Sequence, residues 1–479
     1  VSSTAARATA QGQDQEPGPG PRSGSSGPGR GEDRGGGRSG EGRGGEGRGE
    51  SRGADRFWTV AEHLDDILDH LHPLDPIELQ LLEAQGCVLV EDVTVPAALP
   101  PFDNSSMDGY AVRTADIAAA TEDYPAVLTV IGDIAAGSET APAVAPGEAA
   151  RIMTGAPLPP GAQAVVPVEW TDGGLGQGPV TAMPAHSEAP EGASGRVRVY
   201  RPATTGQHVR PRGCDARAGE LALGAGTLLG APQIGLLAAL GRATVRVRPR
   251  PRVVVLSTGS ELVQPGQEAG PGRIHDSNSF QLTAAARDAG AIAFRVGAVA
   301  DDAGTLRATV EDQLSRADIV VTSGGVSVGA YDVVKEAMRE VDFRKLAMQP
   351  GKPQGFGRVG PDRVPFIALP GNPVSSYVSF ELFVRPAIRT LMGTGPVHRP
   401  IVRARCPEGV GSSPRGRRQF LRGWYEPPGM DAETGLVTPV GGSGSHLIKA
   451  LAHANALIVV PEETTEVAAG AEVDVVLLT

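Results

Sequence analysis

The chain is poor in several features that would place it in a common class. It has only three cysteines, Cys87, Cys214 and Cys406, widely spaced and without a C-x-x-C pair. That excludes a disulfide framework or a thiolate metal site as its organising principle, and a reduced, cytoplasmic setting is expected. No apolar run approaches the roughly 20 residues of a membrane span, so no membrane role is expected. The N-terminus likewise lacks the apolar core of a secretory signal. Positive charge is in deficit too. The formal net charge of −11 argues against a general nucleic-acid surface, although local basic pockets for specific anions remain open.

Aromatic residues are missing altogether before Phe57. Residues 1–55 are dominated by Gly, Ser, Pro, Arg and Glu, a composition that cannot bury apolar surface, so a disordered tail is expected there. Beyond Thr59, the spacing of Val60, Leu64, Ile67, Leu68 and Leu71 predicts a helix ending at Pro73. Asp75-Pro76 then predicts a second helix through Ile77, Leu79, Leu81 and Leu82, stopping at Gly86. Short β-prone runs follow around Val127, Glu148, Ala164 and Val197, with Gly/Pro turns between them. Helical spacing returns from Leu228 to Leu240. The expected organisation is a discontinuous helical domain (56–100 and 218–245) with an inserted β-domain at 101–217.

From Arg252 onward strands alternate with helices. Strands are expected at Arg252–Leu256, Ile292–Val299, Ile319–Val321 and near Val364–Leu369, and helices near Ser277–Ala289, Leu306–Leu314, Asp332–Glu340 and Val374–Leu391. This pattern predicts a doubly wound α/β domain over 246–395, with its site at the C-terminal ends of the strands. Three of those ends read Ser257-Thr-Gly-Ser-Glu261, Ser323-Gly-Gly-Val-Ser327 and Leu369-Pro-Gly-Asn-Pro373. Such small residues let a backbone approach a ligand closely, and a helix N-terminus beyond them would favour an anion. The loop ending at Gly329 is neither a Walker loop nor a G-x-G-x-x-G fingerprint. Residues 396–479 carry short β runs and predict a C-terminal β-barrel or sandwich. The fold class is thus a multidomain α/β protein.

Four segments then carry a resemblance. Phe102-Asp-Asn-Ser-Ser-Met-Asp-Gly-Tyr-Ala-Val112, Arg151-Ile-Met-Thr-Gly-Ala-Pro157, Ser323-Gly-Gly-Val-Ser-Val-Gly329 and Leu369-Pro-Gly-Asn-Pro-Val-Ser375 resemble, in order, the signature segments of the molybdopterin molybdenumtransferase family, which includes the C-terminal domain of gephyrin. The likeness runs from about Trp58 to the C-terminus. It implies an elongated homodimer that takes adenylylated molybdopterin and molybdate, releases AMP with Mg²⁺, and leaves molybdenum on the dithiolene. Possible protein partners are the molybdopterin adenylyltransferase and apo-molybdoenzymes.

By the same resemblance Asp108, Glu261, Asp332 and Lys345 would be catalytic. Ser323, Gly324, Gly325, Ser327 and Gly329 would cradle phosphate, while Thr154 and Asp215 would join Asp108 facing a site on the partner subunit. Glu261, Asp301 and Asp332 would hold Mg²⁺; the lesser alternative for Asp301 is an N-cap for the helix after it. Lys352, Ser375, Arg422 and Ser445 would bind molybdate, a tetrahedral dianion that calls for fixed cations and hydroxyl donors. The sequence departs from some relatives in having Gln349 where they carry lysine, and Cys214 where an acidic residue is common. Two rival readings stand beside this one. The adenylyltransferase that prepares the substrate needs only the 250–393 region, and a scaffold would bind molybdopterin without turnover.

Overall fold

Along the Arg252–Thr258 strand, Val253 and Val255 point into one apolar core while Val254 and Leu256 point into another, and all four are fully buried. A strand buried on both faces must be continuously apolar. That is why this run could be read from sequence. The computed structural model describes residues 57–183, 195–326, 332–430 and 432–478. The expected tail, together with Ser327 and Gly329, lies outside them.

The strand belongs to a six-stranded sheet. Its order is Ile292–Val299, Arg252–Thr258, Ile319–Ser323, Val364–Leu369, Pro353–Val359 and Val341–Lys345. The first four strands are parallel and the last two antiparallel. Helix Asn278–Asp288 and the helical run from Pro373 to Met392 cover one face, with Leu282, Phe380 and Phe383 buried; helices Ala303–Leu314 and Val333–Ala337 cover the other, with Leu306, Val310 and Val334. Burying each such side chain contributes about 1.5–3 kcal/mol relative to exposure. The parallel register sets Ser257 beside Ser323 and Ser323 beside Leu369, so three strand ends meet at one edge.

Two helices differ from expectation. The helix after Asp332 covers only Val333–Ala337, because the backbone leaves helical geometry at Met338 to enter the edge strand Val341–Lys345. The Pro373–Met392 run is long, as expected, but has a π-helical segment at Phe380–Val384. Pro386 lacks the N–H that would bond to the Leu382 carbonyl, which accounts for the local widening.

The segment expected as a second N-terminal helix forms a strand instead, Ile77–Gln80. It pairs antiparallel with Thr244–Arg248, which also pairs with Val88–Leu89. The ladder hydrogen bonds come from residues more than 160 positions away, and this tertiary pairing overrides the local apolar pattern. The helices flanking this region are Val60–Leu68, capped by reciprocal Thr59 and Glu62 bonds, and Ala231–Ala239. Val93–Thr94 pairs with Leu221–Leu223, and Leu99 bridges to Ala216. The chain therefore leaves and re-enters this region around an excursion that contains a five-stranded sheet, ordered Ala164–Pro167, Gly109–Val112, Glu148–Ile152, Ala126–Ile134 and Gly195–Val199.

Near the C-terminus, strands Arg418–Glu426, Gly435–Pro439, Ile401–Arg405, Glu472–Leu477 and Ala456–Val460 pair in that order, and the last pairs back to the first. This closes a five-stranded barrel around Ala404, Val437, Ile458 and Val475. Outside the ring, Met348–Gln349 pairs in parallel with Arg418–Gln419 and ties the barrel to the α/β region. All three cysteines are free, Cys87 and Cys406 buried and Cys214 exposed. Among the described residues no helix is long and apolar enough to cross a membrane.

Candidate active site

The strand ends open into a cavity of about 650 Å³ lined by Thr258, Glu261, Asp276, Asn278, Ser323 and Gly325, among others. Ser323 and Gly325 of the Ser323-Gly324-Gly325 turn form part of its wall. Gly324 has φ +102°, and a Cβ there would lie 2.5 Å from the Thr258 carbonyl oxygen. Gly325 has φ +64°, and its Cβ would meet Val334 at 2.7 Å. The two glycines thus let the turn seat against the neighbouring strand end and the short helix. The Gly324 N–H is bonded to the Leu369 carbonyl at 3.1 Å, which leaves Gly325 and Val326, not Gly324, to face the cavity.

Asn278 locks two of the strand ends together. Its amide donates to Ser323 Oγ at 2.7 Å and to the Gly371 carbonyl at 2.6 Å. Buried Asp276 accepts from Ser257 Oγ at 3.0 Å, from the Ser279 N–H at 3.0 Å and from Ser279 Oγ at 2.5 Å. Neither residue was singled out from sequence; the polar run Asp276-Ser-Asn-Ser279, closing a strand and opening a helix, was the available signal.

The three carboxylates expected to gather do not form one cluster. Glu261 lines the cavity, its carboxylate folded back to the place a Gly259 Cβ would occupy. Asp301 accepts the Ser260 N–H at 2.9 Å, and the cap of the next helix is Asp302, which accepts from the Thr305 N–H at 2.7 Å. Asp332 pairs with Lys335 at 2.5 Å. Among the described residues no three His, Cys, Asp or Glu side chains come together as a protein-built metal centre requires. Mg²⁺ needs less, because it is commonly held by one or two carboxylates together with substrate phosphates. Glu261 fits that requirement. Lys345 ends the edge strand, its carbonyl accepting the Trp58 N–H at 2.9 Å, and does not line the cavity.

A second cavity, about 460 Å³, is lined by Gln349, Lys352, Ser375, Arg417, Ser445 and His446, among others. Three of the four expected oxyanion residues, Lys352, Ser375 and Ser445, are therefore brought together. The fourth, Arg422, is not in the lining. It is 2% exposed, and its guanidinium donates to the carbonyls of Val440 at 3.4 Å, Gly444 at 3.2 Å and Gly442. Burial holds its pKa below the ordinary arginine value. It fixes the loop that carries Ser445. The guanidinium at the cavity is that of Arg417, with its Cζ 5.9 Å from the Phe57 ring centroid, while Lys352 Nζ stands 5.0 Å from the same ring. Arg417 lies in Arg415-Gly-Arg-Arg, five residues before Arg422, and was not among the residues expected from sequence.

Elsewhere, Asp108 Oδ1 accepts from the Thr154 N–H at 2.7 Å and from Thr154 Oγ1 at 2.8 Å, so these two expected partners do meet. The 99–108 segment runs between the other two: Ser105 bonds to Ala156 and Gly155, and the Leu99 carbonyl accepts the Asp215 N–H at 3.0 Å. Asp108, Thr154 and Asp215 are exposed, and none of them lines either cavity.

Fold and cavities together define a multidomain α/β protein whose site lies at the strand ends of its six-stranded sheet. Successive family profiles match the chain: the MoeA N-terminal region (domain I and II) over residues 58–241, a probable molybdopterin binding domain over 254–390, and the MoeA C-terminal region (domain IV) over 404–478. The chain is 44% identical to molybdopterin molybdenumtransferase 2 of Mycobacterium tuberculosis over 87% of its own length and 98% of that protein, and 34% identical to molybdopterin molybdenumtransferase of Bacillus subtilis over 81% and 87%. A crystal structure of a MoeA protein from Pyrococcus horikoshii superposes with a TM-score of 0.63 at 29% identity, covering 88% of this chain and all of that one. The chain belongs to the molybdopterin molybdenumtransferase family, and is thus a transferase of molybdenum cofactor biosynthesis.

Proposed function

We propose that the enzyme inserts molybdate into adenylylated molybdopterin, with Mg²⁺-dependent release of AMP. The observation that carries this reading is the adjacency of the two cavities, which share Pro353, Ser375 and His446 in their walls. One offers a strand-end turn and Glu261 to a phosphorylated pterin. The other offers Lys352, Arg417, Ser375 and Ser445 to a tetrahedral dianion, the mixture of fixed cations and hydroxyls that such an ion needs. Contiguity would hold both substrates in near-attack geometry.

Glu261 would hold Mg²⁺ with the substrate's phosphate oxygens; Asp301 and Asp332 would contribute only on release from Ser260 and Lys335. The metal would supply charge neutralisation at the cleaving phosphoanhydride. The chain's own residues bind and orient: Ser323, Gly325 and Val326 the phosphate end, Lys352 and Arg417 the oxyanion. Ser327, Gly329 and Lys345 complete the proposed substrate set.

The enzyme would work as a cytoplasmic homodimer in which Asp108, Thr154 and Asp215 face the partner's first cavity. Their exposure, and walls drawn from residues 258–446, support that arrangement. The domain limits 56–100 with 218–245, 101–217, 246–395 and 396–479 are proposed in the same way; the adenylyltransferase and apo-molybdoenzymes are the proposed protein partners. The test is AMP release from adenylylated molybdopterin by the purified chain. Release should depend on molybdate and fall in Lys352→Ala; release indifferent to molybdate would overturn the reading.

A further inference from the structure

Of the three residues common to both cavity walls, Pro353 has no side-chain proton to exchange and the Ser375 hydroxyl does not titrate near neutrality. Of the three, only His446 carries an imidazole, a side chain that can serve as both general base and general acid. Its backbone is anchored on both sides: the Ser445 carbonyl accepts the Val374 N–H at 3.0 Å, and the His446 carbonyl accepts the Ile448 N–H at 2.9 Å. A methyl group on Gly444 would stand 3.0 Å from His446 Cε1, so the glycine keeps the imidazole's space open. The ring is exposed and makes no hydrogen bond with any described residue.

The other titratable groups in the two walls are committed. His275 Nε2 faces the Gln267 carbonyl at 2.9 Å, and Asp276 is held by Ser257 and Ser279. Glu261 is the residue proposed for the metal, and Lys352 and Arg417 are the cations proposed for the oxyanion.

We propose that His446 is the proton-transfer residue of molybdenum insertion, carrying protons from the dithiolene sulfurs to the oxygen that molybdate gives up. The proposal rests on the function proposed above and deepens it. Molybdate and the neutral dithiol give a trioxomolybdenum dithiolene dianion and one water. Two S–H bonds and one Mo–O bond break, while two Mo–S and two O–H bonds form. Molybdenum stays hexavalent throughout, so no oxidant or reductant is required. Both protons leave sulfur, on the pterin side, and both arrive on oxygen, on the oxyanion side. A base that accepts on one side and donates on the other has to stand between them, which is where His446 stands.

The test uses the full-length enzyme with adenylylated molybdopterin and molybdate, comparing wild type with His446→Gln and His446→Ala in single turnovers. Because the ring is exposed, both variants should keep the wild-type melting temperature. The insertion rate should fall roughly 100-fold or more, the range general acid–base groups supply, with the molybdate concentration for half-maximal rate unchanged. The pH-rate profile should lose one limb, and added imidazole should restore part of the rate to His446→Ala. A wild-type rate and pH profile in both variants overturns the proposal. So does a slow variant that imidazole does not rescue and whose molybdate dependence has shifted, since that marks a purely structural role. Wild-type enzyme inert to molybdate would overturn the parent function first, and this step with it.

Discussion

Two arginines of the barrel should separate cleanly under substitution. Arg422→Ala removes a buried guanidinium that donates to the carbonyls of Val440, Gly442 and Gly444. A hydrogen bond to a charged group contributes about 1.5–3 kcal/mol. Gly442 is exposed and Val440 half-buried, so water would reach the freed carbonyls. The three bonds should therefore not add, and a loss of about 2–3 kcal/mol of stability is expected. Molybdate use should weaken in the same variant because the loop bearing Ser445 loosens. Arg417 is half-buried at the cavity wall, and Arg417→Ala should change stability by only about 0.5 kcal/mol. Losing one charge-assisted contact of about 1.5 kcal/mol should raise the molybdate concentration required roughly tenfold. Urea unfolding and the molybdate dependence of AMP release, measured on both proteins, decide the matter. Arg422→Ala with wild-type stability and impaired molybdate use would show that Arg422 touches the ion directly and would refute this reasoning. Arg422→Lys should recover part of the stability, since an ammonium can reach fewer of the carbonyls than the fork does.

His63 is fully buried against Phe383, and desolvation, aided by the nearby Arg344 charge, lowers its pKa to about 3, with Asp66 opposing. The folded state keeps the ring neutral, so the unfolded chain takes up the proton and stability is lost as pH falls from about 6.5 toward about 3. The protein should be about 2 kcal/mol less stable at pH 5 than at pH 8 from this group alone, and His63→Leu should remove that part of the slope in denaturant titrations. Gly324→Ala should lower stability by about 2–3 kcal/mol, through left-handed strain and the contact with the Thr258 carbonyl, and circular-dichroism melts will read it. Mixing Asp108→Ala with Asp332→Ala subunits should restore about a quarter of the sites if Asp108 acts across a two-fold interface; no recovery in verified mixed dimers would place both residues in one chain's site.

The strands Arg252–Thr258, Ile319–Ser323 and Val364–Leu369 were legible because burial on both faces makes them continuously apolar, whereas the partly exposed strands Pro353–Val359 and Val341–Lys345 were not. Nor was Ile77–Gln80. Four residues with two apolar side chains look alike in a helix and a strand, and the deciding partner, Thr244–Arg248, is remote. The alternation Thr244-Val-Arg-Val-Arg248 was itself a strand signal that could have raised the question. The small residues of the strand-end turns marked the edge where Ser323, Glu261 and Ser375 line the first cavity, while the roles given to them came from the resemblance. The function of Arg422 was hidden because its acceptors are main-chain carbonyls 18 to 22 residues downstream, and carbonyls have no sequence signature. The seam position of His446 depends on two cavities meeting, which no local motif encodes.

The pairing of Met348–Gln349 with Arg418–Gln419 bears on how fast molybdate arrives. Met348 and Gln349 form one strand of that ladder and also line the second cavity, and the Arg418 N–H reaches further back to the Ala347 carbonyl at 2.9 Å. Swinging the barrel aside would break backbone bonds within the pocket wall itself, so entry need not await a hinge. On the proposed assignment the rate of capture would depend on the field that Lys352 and Arg417 project through the mouth, and in a chain of net charge −11 that field acts over about one Debye length. Molybdate association should slow with added salt while remaining first order in molybdate, without the plateau that a gated opening step would impose.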